Sequence, residues 1–191
     1  MPRMFFSLSV ILAFPLILAA CQPRTAPPAA PQPTVAERLA AGKKALVAGD
    51  CKTALPELTE AVRQRPGLFE AQLYLGICAY KENDAARGEA ALKQAMAADP
   101  NSPRPYEALG IAEYTRKHHA EARQALESAV SKGSKNPSTY YYLGNLAMLD
   151  GQCHAAFDAY RQALRIDPTY TVARTEFDAA RLYCAKIGAH Q

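Results

Sequence analysis

The chain has no excess of one charge sign to speak of. Its 22 Lys and Arg stand against 18 Asp and Glu, a formal +4, and the two signs are interspersed along the whole length. Without a basic stripe or tail, nucleic-acid binding has no electrostatic footprint. Catalytic signatures are missing too. There is no Gly-x-Ser-x-Gly elbow, no phosphate-cradling glycine loop and no paired-histidine metalloprotease motif. The glycines fall where helix packing or turns explain them. Carboxylates such as Glu57, Glu60 and Glu121 belong to outward helix faces that water solvates. His118 and His119 are neighbours in a turn, cannot face one way on a helix, and read as solvated. The expectation is a chain with no catalytic residues, no cofactor and no resident metal.

What is present, 49% hydrophobic and 21% charged residues over 191 positions, suits one domain with a continuous core and excludes disorder and a polytopic membrane protein. One long apolar run occurs, Met4 to Ala20, after Met1-Pro2-Arg3. A basic start, an apolar middle and a small-residue end read as a secretory signal over residues 1–20. As a retained anchor the run is short of the roughly 20 apolar residues a span needs, and Pro15 interrupts it.

Leu18-Ala19-Ala20-Cys21 closes that run and resembles the lipobox of bacterial lipoproteins at all four places. The resemblance implies that Cys21 becomes the acylated mature N-terminus, carrying palmitate-type chains, each buried methylene of which adds about 0.8 kcal/mol to membrane attachment. Gln22, where an aspartate would favour inner-membrane retention in that family, implies the outer membrane, facing the periplasm. Residues 21–34 are a tether rich in Pro and Ala (Pro23, Pro27, Pro28, Pro31, Pro33), extended at about 3.1 Å per residue where it is polyproline II.

The remainder is periodic. Leu75-Gly76 recurs as Leu109-Gly110 and Leu143-Gly144, with Ala41-Gly42 as a weaker copy, 34 residues apart each time. With this glycine as the eighth position, the repeats are 35–68, 69–102, 103–136 and 137–170. Position twenty is then Ala54, Gly88, Ala122 and Ala156; twenty-four is Leu58, Leu92, Leu126 and Tyr160; twenty-seven is Ala61, Ala95, Ala129 and Ala163. Small residues at eight, twenty and twenty-seven let two helices approach closely around the larger one. Position thirty-two is Pro66, Pro100 and Pro168, which end a helix, with Ser134 as the departure. The pattern over 35–170 resembles the tetratricopeptide repeat. That implies an all-α, right-handed superhelical solenoid of four antiparallel helix pairs with a concave inner face. The fourth-position aromatic is kept only as Tyr106 and Tyr140. Thr34 and Glu37 read as a capping box for the first helix, and residues 171–191 as a capping helix and tail.

Export to an oxidising compartment would leave Cys51, Cys78, Cys153 and Cys184 free to pair. Cys51 and Cys153 share position seventeen at the start of a second helix. Cys78 and Cys184 lie one turn apart on the face of the following first helix. Antiparallel packing therefore favours Cys51–Cys78 and Cys153–Cys184, each stapling a repeat to its successor. Two other readings stay open: small buried residues in place of alanine, and a zinc site from Cys153, His154 and Cys184 that lacks a fourth ligand.

Positions two, five, nine and twelve of the first helices make the inner face of such a superhelix. Large or polar groups stand there: Leu73, Tyr80, Arg104, Glu107, Ile111, Tyr114, Tyr141, Asn145 and Met148. These types anchor interfaces, and Asn145 is expected to hydrogen-bond a partner's backbone. Leu39 and Lys43 break the two-carboxylate clamp of chaperone-binding members, which disfavours an acidic C-terminal tail as ligand. The expected function is a lipid-anchored periplasmic scaffold for a protein or peptide partner, of the pilus or secretion-assembly kind. Recruitment of cell-wall enzymes, outer-membrane biogenesis, a self-assembling structural role and an enzyme subunit are the alternatives.

Overall fold

The computed structural model describes residues 32–188. The apolar run, Cys21 and most of the tether lie outside them. The described residues form nine helices and no strand: α1 (Val35–Val47), α2 (Cys51–Gln64), α3 (Phe69–Lys81), α4 (Ala85–Ala98), α5 (Arg104–Thr115), α6 (His119–Ser131), α7 (Pro137–Leu149), α8 (Cys153–Ile166) and α9 (Thr171–Gly188).

Local chemistry sets where each helix starts. Thr34 and Glu37 form a reciprocal capping box on α1, while Asp50 and Asp84 cap α2 and α4 by accepting from Thr53 and Arg87 backbone N–H groups at 3.0 and 3.1 Å. Between the helices of each pair the chain turns through one left-handed residue. Position fifteen has φ of 79° at Gly49, 63° at Asn83, 65° at Lys117 and 71° at Gly151. Glycine takes that conformation without steric cost, and Lys117 does not.

Each pair closes on a glycine. A Cβ added to Gly42, Gly76, Gly110 or Gly144 would sit 2.6, 2.7, 2.6 or 2.5 Å from the side chain of Leu58, Leu92, Leu126 or Tyr160, well inside van der Waals contact. Those four partners are 0–1% exposed, and the position-twenty-seven alanines Ala61, Ala95, Ala129 and Ala163 are 0% exposed. The hydrophobic seam therefore runs between the two helices of every repeat, and successive pairs add to it.

The third repeat leaves its second helix differently, because Ser134 stands where the others have proline. Gly133 adopts φ 79°, and the Ser134 N–H returns to the Ala129 carbonyl at 3.0 Å, a left-handed helix ending that needs no proline. At the C-terminal end α9 covers α8. Ala173 and Ala180 are buried, and Phe177 meets the edge of Phe157 at 5.7 Å between ring centres. Arg161 and Arg181 flank Phe177 at 6.0 and 5.9 Å, giving the last helix a charged rim.

Replacing Lys117 by Gly removes left-handed strain at the cost of more freedom in the unfolded chain, so Lys117→Gly should gain about 0.5–1 kcal/mol and Gly151→Ala should lose about 1. Urea denaturation checks both.

Acid should weaken the fold. Hydrogen bonds from Thr34 hold Glu37 below its ordinary value, those from Thr53 do the same for Asp50, and Arg63 followed by Gln64 bring Glu60 down from 4.5 to about 2. A carboxylate depressed in the folded state contributes stability above its unfolded value and loses it as pH falls through the folded one. The melting temperature should therefore drop between about pH 4.5 and 2, and more shallowly in Glu60→Gln; Glu37 and Asp50 are exposed and Glu60 is only partly covered, so the effect is modest.

Candidate partner-binding groove

α3 and α5 are first helices of successive repeats, and their shared face is a groove of about 650 Å³. Its apolar lining comes from Leu73, Ile77, Ala108 and Ile111. Tyr80, Lys81 and Arg116 stand where the two helices end, and Arg104 and Glu107 where α5 begins, with Asn136 contributed from just before α7.

The polar groups are held from behind. Glu107 accepts from the Ser134 hydroxyl at 2.5 Å and from Asn136 Nδ2 at 3.2 Å. Ser134 is itself 1% exposed, so the residue that replaces the helix-ending proline also fixes a carboxylate of the groove. The Arg104 guanidinium lies 5.6 and 5.7 Å from the Phe69 and Tyr74 ring centres and donates to the Tyr74 hydroxyl at 3.3 Å. The Tyr80 hydroxyl donates to Glu113 Oε1 at 3.1 Å. Burial, then that hydrogen bond to a carboxylate, pushes the Tyr80 phenol up, so it stays a donor.

Glu113 is 7% exposed and is also met by Arg116 Nη1 at 2.9 and 3.0 Å and by His118 Nδ1 at 2.7 Å. His118 is exposed, as expected, and its ring also satisfies a buried carboxylate that lies five residues back, across the α5–α6 turn.

Of the residues expected on the inner face, Leu73, Tyr80, Arg104, Glu107 and Ile111 line this groove together, and Tyr114, Tyr141, Asn145 and Met148 do not. Tyr114 lies tilted against Tyr142 and His119, with ring centres 4.8 and 5.8 Å away. Tyr141 and Met148 pack against the core around Ala147 and Tyr160, and Tyr141 presents edges to Tyr142 and Tyr170 at 5.0 and 5.9 Å. Asn145 Oδ1 accepts from the Tyr160 hydroxyl at 2.7 Å. Its carbonyl is thus already engaged inside the chain. The cause is the fourth repeat's exchange of leucine for tyrosine at position twenty-four: the longer side chain carries a hydroxyl that needs an acceptor.

Reading only positions two, five, nine and twelve overlooked Lys81, Asn83, Thr115, Arg116 and Asn136, all of which line the groove. Lys81 and Thr115 share position thirteen, so one more column of the repeat would have found them. Asn136 closes its repeat and projects from a connection whose path follows from Ser134.

The cysteines fall into two pairs. Cys153 and Cys184 are joined by a disulfide with Cα atoms 6.2 Å apart, within the usual range. Cys51 and Cys78 differ from the expectation of a second bond: they lie in one core cluster as thiols. Among the described residues no three His, Cys, Asp or Glu side chains gather as a metal site, and the bonded Cys153 and Cys184 leave His154 without thiolate companions.

The tetratricopeptide-repeat family profile matches residues 39–103 and 107–171, more than half of the sequence. The chain belongs to the tetratricopeptide-repeat family. In sequence it matches no curated protein. Among solved structures it is similar to PilF of Pseudomonas aeruginosa, at 21% identity over 80% of this chain and 69% of that one, with a TM-score of 0.70. It is similar to MamA of Desulfovibrio magneticus RS-1 at 21% identity over 82% and 89%, TM-score 0.65. A third similar structure is YrrB, described as a repeat protein with an unusual peptide-binding site, at 20% identity over 64% and 63%, TM-score 0.58. At these identities the likeness is one of fold. The architecture is that of a scaffold for contacts between proteins.

Tyr160→Phe removes the hydroxyl that engages Asn145 and should cost about 1 kcal/mol in urea unfolding. A cost near zero would mean that the bond contributes nothing beyond what water supplies.

Proposed function

We propose that this chain is a lipid-anchored, non-catalytic scaffold of the bacterial envelope that captures a protein or peptide segment in the α3–α5 groove and helps assemble or localise a complex. The observation that carries the reading is the groove itself. An apolar lining of Leu73, Ile77 and Ile111, flanked by Lys81, Arg104 and Arg116, suits a segment that buries apolar side chains while its polar atoms meet the rim. The lipobox-like Leu18-Ala19-Ala20-Cys21 supports attachment through Cys21, and Gln22 after it supports a place at the outer membrane facing the periplasm. The plan of lipobox, linker and repeat array resembles that of pilus and secretion-assembly lipoproteins, which favours that kind of complex.

Photo-crosslinking in living cells tests the reading. A photoreactive residue at Lys81 or Ile111 should trap one defined partner, and one at Glu121, away from the groove, should not. Ile111→Asp should cut the yield at Lys81 about tenfold, the scale of a lost interface anchor. Trapping only from Glu121, or trapping of other copies of this chain alone, would overturn capture in the groove. Cys21→Ser should release the protein from the membrane fraction; a chain that stays bound would overturn the anchor. The identity of the trapped partner separates pilus or secretion assembly from recruitment of a cell-wall enzyme.

A further inference from the structure

The two cysteine pairs hold related places and different states. Cys51 and Cys153 each open the second helix of their repeat, the first and the fourth, and each faces a cysteine of the next first helix, on α3 and α9 respectively. Cys153 and Cys184 are bonded and half-exposed. Cys51 and Cys78 are 1% and 0% exposed and share a core cluster with Ala54, Leu58 and Leu75. Each sulfur therefore has the other as its neighbour within a shell of aliphatic side chains.

We propose that Cys51 and Cys78 are an oxidation site, converted to a Cys51–Cys78 disulfide by exchange with a disulfide-bearing oxidant and then enclosed by the core that surrounds it. The chemistry balances as two successive displacements. One cysteine thiolate attacks the reagent disulfide, forming a mixed disulfide and expelling one reagent thiolate. The second cysteine thiolate attacks the protein sulfur of that mixed disulfide, forming the Sγ–Sγ bond and expelling the other. The two cysteines give up two protons and two electrons, and the reagent ends as two thiols. A small-molecule disulfide and a disulfide-exchange protein supply the same chemistry.

Burial, and next its hydrogen bond to Cys51, pushes the Cys78 thiol up, so that thiol is protonated and unreactive while the fold is shut. Reaction needs α1 and α2 to open away from α3. That end of the array has a neighbour on one side only, which makes it a low-cost opening. The pair should consequently oxidise more slowly than the half-exposed one and, once bonded, resist reduction for the same reason. The bond would pin α3, a wall of the groove, to the first repeat.

The test uses the full-length chain, fully reduced and held in detergent, then incubated with oxidised glutathione. Samples are alkylated under denaturing conditions and mapped without reduction. The expected result is two bonds: Cys153–Cys184 first, and Cys51–Cys78 at least about tenfold more slowly, accelerated by urea below the unfolding transition. The Cys153→Ser variant should still form Cys51–Cys78, and its melting temperature should rise as that bond forms. Free Cys51 and Cys78 after prolonged incubation in sub-denaturing urea, persistent glutathione adducts on either, or a Cys51–Cys153 link would overturn the proposal.

Discussion

The close approach of a glycine on one helix to a large side chain on the next is the constraint from which the rest of this molecule follows. At Gly42, Gly76, Gly110 and Gly144 even a methyl group would overlap Leu58, Leu92, Leu126 or Tyr160. Helices brought together this tightly bury the large side chain between them, and the seam repeats at an interval that leaves no residue inserted between copies. Stacking is then an outcome of geometry, since each pair can bury its remaining apolar face only on its neighbour. The first helices come side by side, and the groove between α3 and α5 is the surface that this stacking leaves uncovered.

How much of this could be read from the residues depended on whether the feature was periodic. The seam, the helix pairs and the Thr34–Glu37 cap were legible because they follow from spacing and from local capping chemistry. Five groove residues were legible for the same reason. What escaped were the places where a repeat departs from its own pattern. Tyr160 in place of leucine draws Asn145 inward, Ser134 in place of proline sets Glu107, and Glu113 gathers Tyr80, Arg116 and His118 around one buried carboxylate. Periodicity shows that such positions are unusual without showing where a freed hydroxyl or a buried charge finds its partner, because that partner is set by packing.

These departures also leave the groove in the middle of the array. The fourth repeat spends its tyrosines on one another and on the core, and the first repeat carries the enclosed thiols. Between them the second and third repeats keep cations and aliphatic side chains facing outward over an apolar lining. Ser134 and Glu113 lie behind that surface and hydrogen-bond Glu107 and Tyr80, so under the proposed function these groups are ordered before a partner binds.

A double-mutant cycle on the seam tests the governing constraint most directly, and the first repeat is the cleanest place for it, because the atoms nearest a Cβ at Gly42 all belong to the Leu58 side chain. Stabilities of Gly42→Ala, Leu58→Ala and the double variant would be measured by urea unfolding. If the close approach governs packing, the double variant is more stable than the sum of the single losses implies, by about 1 kcal/mol or more, since the alanine at 42 enters the space that Leu58 vacates. Losses that simply add would contradict it.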